Sequence, residues 1–231
     1  METDDRLVEA FEGGADDFMN KPLKPRVLAA RLRAGQRVVK LQQEIERDRE
    51  EIRRFAAELA VTNRRLQEAA LTDALTGFPN RRYAMERVEQ EWSSSSRNKR
   101  PLACMVVDVD EFKRINDTHG HDVGDAVLRQ AASALKAGLR AQDVVSRIGG
   151  DEFLVICPDT SMEAAVACAE RMRLFVESTL ITAGTLQLRA SVSIGVAVRD
   201  DGMTDADAMI KRADQGVYVA KGRGRNCVGV P

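Results

Sequence analysis

The sequence predicts an α/β sandwich around a mixed or antiparallel sheet, preceded by a long helical rod. Three observations predict it. Leu102–Val109, LACMVVDV, is a mostly apolar, Val-rich run with the length and character of a buried strand. Two short apolar runs, residues 144–148 and 153–157, flank Gly149-Gly150-Asp151-Glu152, which reads as a hairpin. Upstream, Val38, Ile45, Ile52, Leu59 and Leu66 recur at every seventh position, with Leu41, Asp48, Phe55, Thr62 and Ala69 three places further on. These are the a and d positions of a heptad repeat.

Taken in order, residues 5–12 read as a short helix closed by Gly13-Gly14, and residues 16–20 as a short strand. Pro25 suits the first turn of the next helix. No Gly or Pro interrupts residues 36–76, so that helix runs into the heptads. From Val38 to Ala69 it forms a rod of about 48 Å at 1.5 Å per residue. Its narrow seam predicts a self-associating coil, the alternative being an amphipathic helix lying on a globular core. Asp48 and Thr62 at d weaken the seam.

Beyond the rod, Ser93–Ser96 reads as a polar loop before the first strand. Residues 120–139 and 162–176 have helical spacing. Residues 186–198 hold β-rich segments, SVSIGVAV the clearest. Residues 204–220 form another helix with acids in its first turn, and residues 227–230 a last short strand. Three parts follow: 1–35, 36–71 and 72–231.

Composition narrows the function. The 231 residues carry 35 Lys plus Arg against 36 Asp plus Glu, so the basic excess of a general nucleic-acid binder is missing. No run of about 18 apolar residues is present to span a membrane, and METDDRLVEAFEGG lacks the features of a secretory signal. Cys104, Cys157, Cys168 and Cys227 are scattered among apolar residues without a CxxC pair. That pattern argues against zinc and for buried, reduced thiols in the cytoplasm.

Two clusters carry chemistry. Asp108-Val109-Asp110 ends the first strand, where a carboxylate either meets a hard cation such as Mg²⁺ or caps the next helix. In Gly149-Gly150-Asp151-Glu152, the glycines permit a tight turn and close ligand approach. A purely structural turn has no need of both acids. If the hairpin lies beside the first strand, Asp108 and Asp151 share metal, as in-line displacement at phosphorus requires.

RIGGDEFLVI is the signature of GGDEF-domain diguanylate cyclases. LTDALTGFPNRR at 71–82, DVDEFKRINDTHGHDVGDAVL at 108–128, SVSIGVA at 191–197 and AKGRGRN ending at Asn226 also resemble that family, in order. Phe78 stands where the family usually has Leu. The resemblance covers 72–231 and implies a palm-like fold of the nucleotidyl cyclase and polymerase type. It further implies condensation of two GTP into cyclic di-GMP and two pyrophosphates across a pair of domains.

By motif position, the resemblance places Mg²⁺, with Mn²⁺ as substitute, on Asp108, the Val109 carbonyl, Asp151 and Glu152. Asp151, Glu152 and Asp108 are its catalytic set. Phe112, Lys113, Lys221 and Arg225 match phosphate contacts, and Asn116 and Asp125 match guanine readers. Guanine offers paired N–H donors that a carboxylate accepts and adenine lacks. His119 and His121 are assigned to no metal. Arg140-Ala141-Gln142-Asp143 resembles the family's inhibitory RxxD site for cyclic di-GMP, and Arg171 a secondary contact. The alternative is a catalytically silent effector that binds GTP or cyclic di-GMP and signals through the rod.

AFEGGADDFMNKPLKPRVLAARLRA resembles the C-terminal end of a response-regulator receiver domain, with Lys21 and Pro22 at its Lys-Pro pair. Only twenty residues precede Lys21, so the phosphoacceptor strand is missing. The expectation is a receiver remnant, a homodimer through 38–69, and loss of phosphorylation control.

Overall fold

The computed structural model describes residues 2–19 and 21–231, with side chains described outside 2–6 and 65–69. The chain forms two compact units, Met1–Asn63 and Arg64–Pro231.

In the first unit, α1 (Glu2–Glu12) stops where the Gly13 and Gly14 amides return to Glu9 and Phe11 and Gly14 takes φ 93°. The strand expected at 16–20 does not form over Asp16–Met19; Asn20 lies outside the described residues. The Asp17 carboxylate instead accepts from the Phe18 amide and pairs with Arg31. The Lys21–Pro22 bond is cis. Helix α2 (Pro25–Leu71) begins on the predicted proline. Its Val38, Leu41, Ile45, Ile52, Phe55 and Leu59 are all exposed. Leu66 and Ala69 are among the positions whose side chains are not described.

The second unit is a three-layer sandwich. Its elements are α3 (Arg81–Asn98), β1 (Leu102–Val109), α4 (Phe112–His119), α5 (His121–Ala137), β2 (Val144–Arg147), β3 (Glu152–Pro158), α6 (Met162–Ser178), β4 (Ile181–Ala183), β5 (Leu186–Leu188), β6 (Val192–Val198), α7 (Ala206–Gly222) and β7 (Val228–Gly229). The main sheet has the order β2-β3-β1-β6-β7, with β4 and β5 a separate pair. Only β6–β7 is parallel in the main sheet; its other neighbours are antiparallel.

Strand β1 is buried on both faces, as its unbroken apolar run predicts. Ala103, Met105, Val107 and Val109 join the core under α5 and α6, while Leu102, Cys104 and Val106 join the core under α3 and α7. This period of two is the pleat itself.

Ser93–Ser96 is not a loop but the penultimate turn of α3. The polar run is misleading because one face is satisfied: Ser95 is buried and its hydroxyl donates to the Arg100 carbonyl at 2.6 Å. Trp92, on the same helix, packs against the α3/α7 core. Phe78 packs at the edge of the α5/α6 core.

Three glycines bring α7 onto the sheet backbone. A Cβ on Gly195 would meet the Ala213 carbonyl at 1.9 Å, one on Gly229 the Gly216 carbonyl at 2.0 Å, and one on Gly216 the Gly229 carbonyl at 2.6 Å. Among the described residues no helix is long and apolar enough to cross a membrane.

Candidate active site

The hairpin does lie beside the first strand. Antiparallel pairing sets Glu152 opposite Asp108, and the Val109 amide donates to the Asp151 carbonyl at 3.1 Å. Arg147 holds the turn by donating to the Gly150 carbonyl through Nε and Nη2 at 3.1 and 2.7 Å. Its other nitrogen, Nη1, bonds both oxygens of Asp73 at 3.1 Å.

Asp108 is 9% exposed, at the mouth of β1. Burial raises its pKa, with Asp151 and Asp110 adding repulsion against the relief from Lys221. Burial likewise raises the Glu152 pKa, reinforced by Asp108, Asp151 and Asp214. Three mutually repelling carboxylates at one strand mouth fit a hard divalent cation, whose charge would offset both repulsion and desolvation. Lys221, in the last turn of α7, donates to Asp108 Oδ2 at 2.7 Å.

The candidate nucleotide contacts fall into three places. Phe112 and Lys113 open α4, whose first turn receives no side-chain cap from Glu111. Asn116 on α4 meets Gly124 on α5: a Cβ there would come within 1.9 Å of Asn116 Oδ1. That oxygen is buried without a hydrogen-bond partner, an orphan acceptor such as a guanine N–H would satisfy. Asp125 follows Gly124 and lies 3.9 Å from Arg129 Nη2. Arg225 takes φ 67° in the loop after α7, its amide bonded to the Ala220 carbonyl.

Arg140 and Asp143 close the turn between α5 and β2. The Arg140 amide donates to Asp143 Oδ2 at 2.9 Å, and the Asp143 amide returns to the Arg140 carbonyl at 3.2 Å. Arg171 joins them from α6 by donating to the Gly138 carbonyl at 2.9 and 2.7 Å. A groove of about 1000 Å³ elsewhere on α6 is lined by Arg171, Phe175, Arg189 and Asn226, and by none of the three carboxylates.

Sequence reasoning assigned no role to Asp110. It accepts from the Ser191 and Ser193 hydroxyls at 2.6 Å each and from the Asn226 amide at 3.0 Å. It thus ties the loop bearing Arg225 to the strand bearing Asp108. The signal was the second acid of Asp-Val-Asp, which leaves β1 as it ends. The Asp73–Arg147 pair was also missed, its partners being 74 residues apart.

A carboxylate cluster at the mouth of a largely antiparallel sheet, faced by a lysine and by helix-opening amides, defines a palm-type α/β domain. The chain belongs to the GGDEF family: the family described as "Diguanylate cyclase, GGDEF domain" matches residues 70–227. It is similar to response regulator PleD of Caulobacter vibrioides, 38% identical over 225 residues covering 96% of this chain and 46% of that protein. Diguanylate cyclase DosC of Escherichia coli is 40% identical over 157 residues, 68% of this chain and 34% of that one. The chain thus spans less than half the length of these relatives. Among solved structures, diguanylate cyclase SiaD of Pseudomonas aeruginosa, in complex with its activator SiaC, aligns with TM-score 0.67 and 32% identity over 98% of this chain and 82% of that one. The coiled coil and GGDEF domain of DgcB from Caulobacter crescentus, in complex with c-di-GMP, aligns with TM-score 0.69 and 27% identity over 86% and 99%.

Proposed function

We propose that the chain is a diguanylate cyclase that condenses two GTP into cyclic di-GMP. The observation that carries this reading is the clustering of Asp108, Asp151 and Glu152 at the mouth of β1, with Lys221 bonded to Asp108. In each half-reaction a GTP 3′-hydroxyl attacks the α-phosphorus of the other GTP. A P–O bond forms, pyrophosphate leaves and the hydroxyl proton is released.

Asp108, the Val109 carbonyl, Asp151 and Glu152 would hold Mg²⁺ or Mn²⁺. When bound, the ion supplies charge stabilisation at the transferring phosphorus and a lower pKa for the attacking hydroxyl. Lys221 and Arg225, with Lys113 and the Phe112 amide, hold the triphosphate. Asn116 and Asp125 accept from guanine N–H groups. Asp108, Asp151 and Glu152 lie on an open sheet end, so each domain presents half of the reacting pair and needs a second copy.

The second copy is supplied by residues 36–71 as a parallel coil through 38–69, whose apolar seam residues from Val38 to Leu59 are exposed. Residues 72–231 are then the cyclase domain, and residues 1–35 resemble the C-terminal end of a receiver domain. Arg140, Asp143 and Arg171 form an inhibitory product site, supported by their convergence on one turn. The binding of c-di-GMP by the coiled coil and GGDEF domain of DgcB lends support to a product site in this fold.

The test is nucleotide-stripped protein with GTP and Mg²⁺, products resolved by chromatography. Cyclic di-GMP and pyrophosphate, slowing as product accumulates and abolished by chelator or by Asp151→Ala, are expected. GTP binding by an intact dimer without product would overturn cyclase activity and favour the silent effector.

A further inference from the structure

Beneath the Arg140–Asp143 turn lies a second cluster, two of whose three members, Cys157 and Cys168, the cyclase reading does not use. The Asp143 carboxylate and the thiols of Cys157 and Cys168 have ligand atoms all within 4.8 Å of one another, and all three residues are buried. We propose that Asp143, Cys157 and Cys168 bind one borderline or soft divalent cation, with Zn²⁺ as the representative case.

The fold builds the cluster from three elements. The β2–β3 register sets Val144 opposite Ile156, and one step further brings Asp143 beside Cys157 at the end of β3. Cys168 comes from α6 into the same core as Cys157. Distance along the chain hid this from a search for CxxC.

A second observation points to a ligand. Asp143 is 3% exposed, and its Oδ1 has no hydrogen-bond partner, while Oδ2 is taken by the Arg140 amide. A buried carboxylate oxygen without a donor is unfavourable. The Asp143 carboxylate sits beside two thiols, which supply the ligand class of zinc rather than magnesium. Ligand atoms sharing a tetrahedral Zn²⁺ lie roughly 3.6–3.8 Å apart, from Zn–S and Zn–O lengths of about 2.3 and 2.1 Å. The cluster needs to contract by about 1.2 Å at most to meet that spacing.

Charge also fits. Two thiolates and a carboxylate around a divalent ion leave a single negative charge. Arg171 Nη2 stands 3.4 Å from Cys168 Sγ to meet it. The hydrogen bond with Cys157, helped by Arg171, already lowers the Cys168 thiol to about 7, while the same bond and burial push Cys157 up. Binding releases both thiol protons to solvent. Three protein ligands leave a fourth position for water.

Asp143 is also the carboxylate assigned above to the product site, so an ion held through Oδ1 weakens cyclic di-GMP binding, and product weakens the ion reciprocally. This coupling rests on that product-site reading; the metal site does not.

The test is Co²⁺ titration of the reduced full chain in excess Mg²⁺. Excess Mg²⁺ covers the carboxylates at β1, which in any case give no thiolate band. One equivalent of Co²⁺ is expected to develop a near-ultraviolet thiolate-to-metal absorption and tetrahedral visible bands, both removed by Zn²⁺. Cys168→Ser should weaken binding at least tenfold, and Cys227→Ser should leave it unchanged. Absence of the thiolate band in the unmodified chain would overturn the site without recourse to any variant. So would a band that survives Cys168→Ser and is lost in Cys227→Ser. Calorimetry with cyclic di-GMP then reads the coupling: several-fold weaker binding with Zn²⁺ is expected, and equal affinity with and without Zn²⁺ would overturn it. A thiolate band in a chain that binds no cyclic di-GMP supports the metal site and counts against the product-site reading alone.

Discussion

Lys221 Nζ lies 2.7 Å from Asp108 Oδ2, joining the last turn of α7 to the end of β1. Asp108 is the more buried partner, with its side chain 12% exposed against 39% for Lys221. The lysine therefore answers a charge that water reaches poorly. In the proposed reaction a divalent cation at Asp108 would take over that task and leave the ammonium to meet phosphate.

Lys221→Met tests this dual service. Removing one preorganised charge at a transferring phosphoryl group typically costs about 10²–10³ in rate. The expected outcome is a fall in cyclic di-GMP formation of about that size with the circular dichroism spectrum retained. An undiminished rate would place Lys221 outside the reaction.

Asp73 gives a pH signature. Burial pushes its carboxyl up, but donors from Thr76 and Arg147 outweigh burial and hold it below its ordinary value. A depressed carboxylate stabilises the fold above its unfolded pKa of about 3.9 and loses that contribution as pH falls through the folded value. Asp73→Asn should cost about 1–3 kcal/mol near neutrality, with the gap from the parent closing as pH falls through the depressed folded value. Urea melts across pH measure it, and a gap that persists in acid would remove the ionic explanation.

Asp110→Ala leaves the fully buried Ser193 hydroxyl and the Asn226 amide without their acceptor. Two stranded donors cost about 2–4 kcal/mol. Because Arg225 adjoins Asn226, the KM for GTP should rise as well. Denaturation midpoints and initial rates read the two effects separately, and a loss of stability with an unchanged KM would separate the clamp from the triphosphate.

In the rod, Asp48 occupies a d position within an apolar seam. Asp48→Leu exchanges a charge for a side chain worth about 1.5–3 kcal/mol when buried. Sedimentation should show dimer persisting at least tenfold lower in concentration. An unchanged dissociation constant would take that position out of the interface.

Much of the domain was legible from residue pattern. The Leu102–Val109 strand declared itself by an apolar run, and the hairpin by two glycines between two such runs. What eluded the pattern was long-range or locally disguised. Ser93–Ser96 looks like a loop because serine is polar, yet the buried Ser95 hydroxyl finds a carbonyl on the next turn of chain. Residues 16–19, Asp-Asp-Phe-Met, pair with no strand among the described residues, and a strand is defined by its neighbour. Asp110 was visible as an acid, but its three donors come from 81 to 116 residues away.

The close seat of α7 on the sheet has an evolutionary corollary. At Gly195, Gly216 and Gly229, the smallest possible side chain would already strike main-chain atoms that no rotamer change can move aside. In a saturation library these three positions should stand as blank columns, tolerating no substitution, while exposed neighbours such as Tyr218 drift freely. Lineages exchange the exposed residues of that helix, and the reach of Lys221 is inherited unaltered.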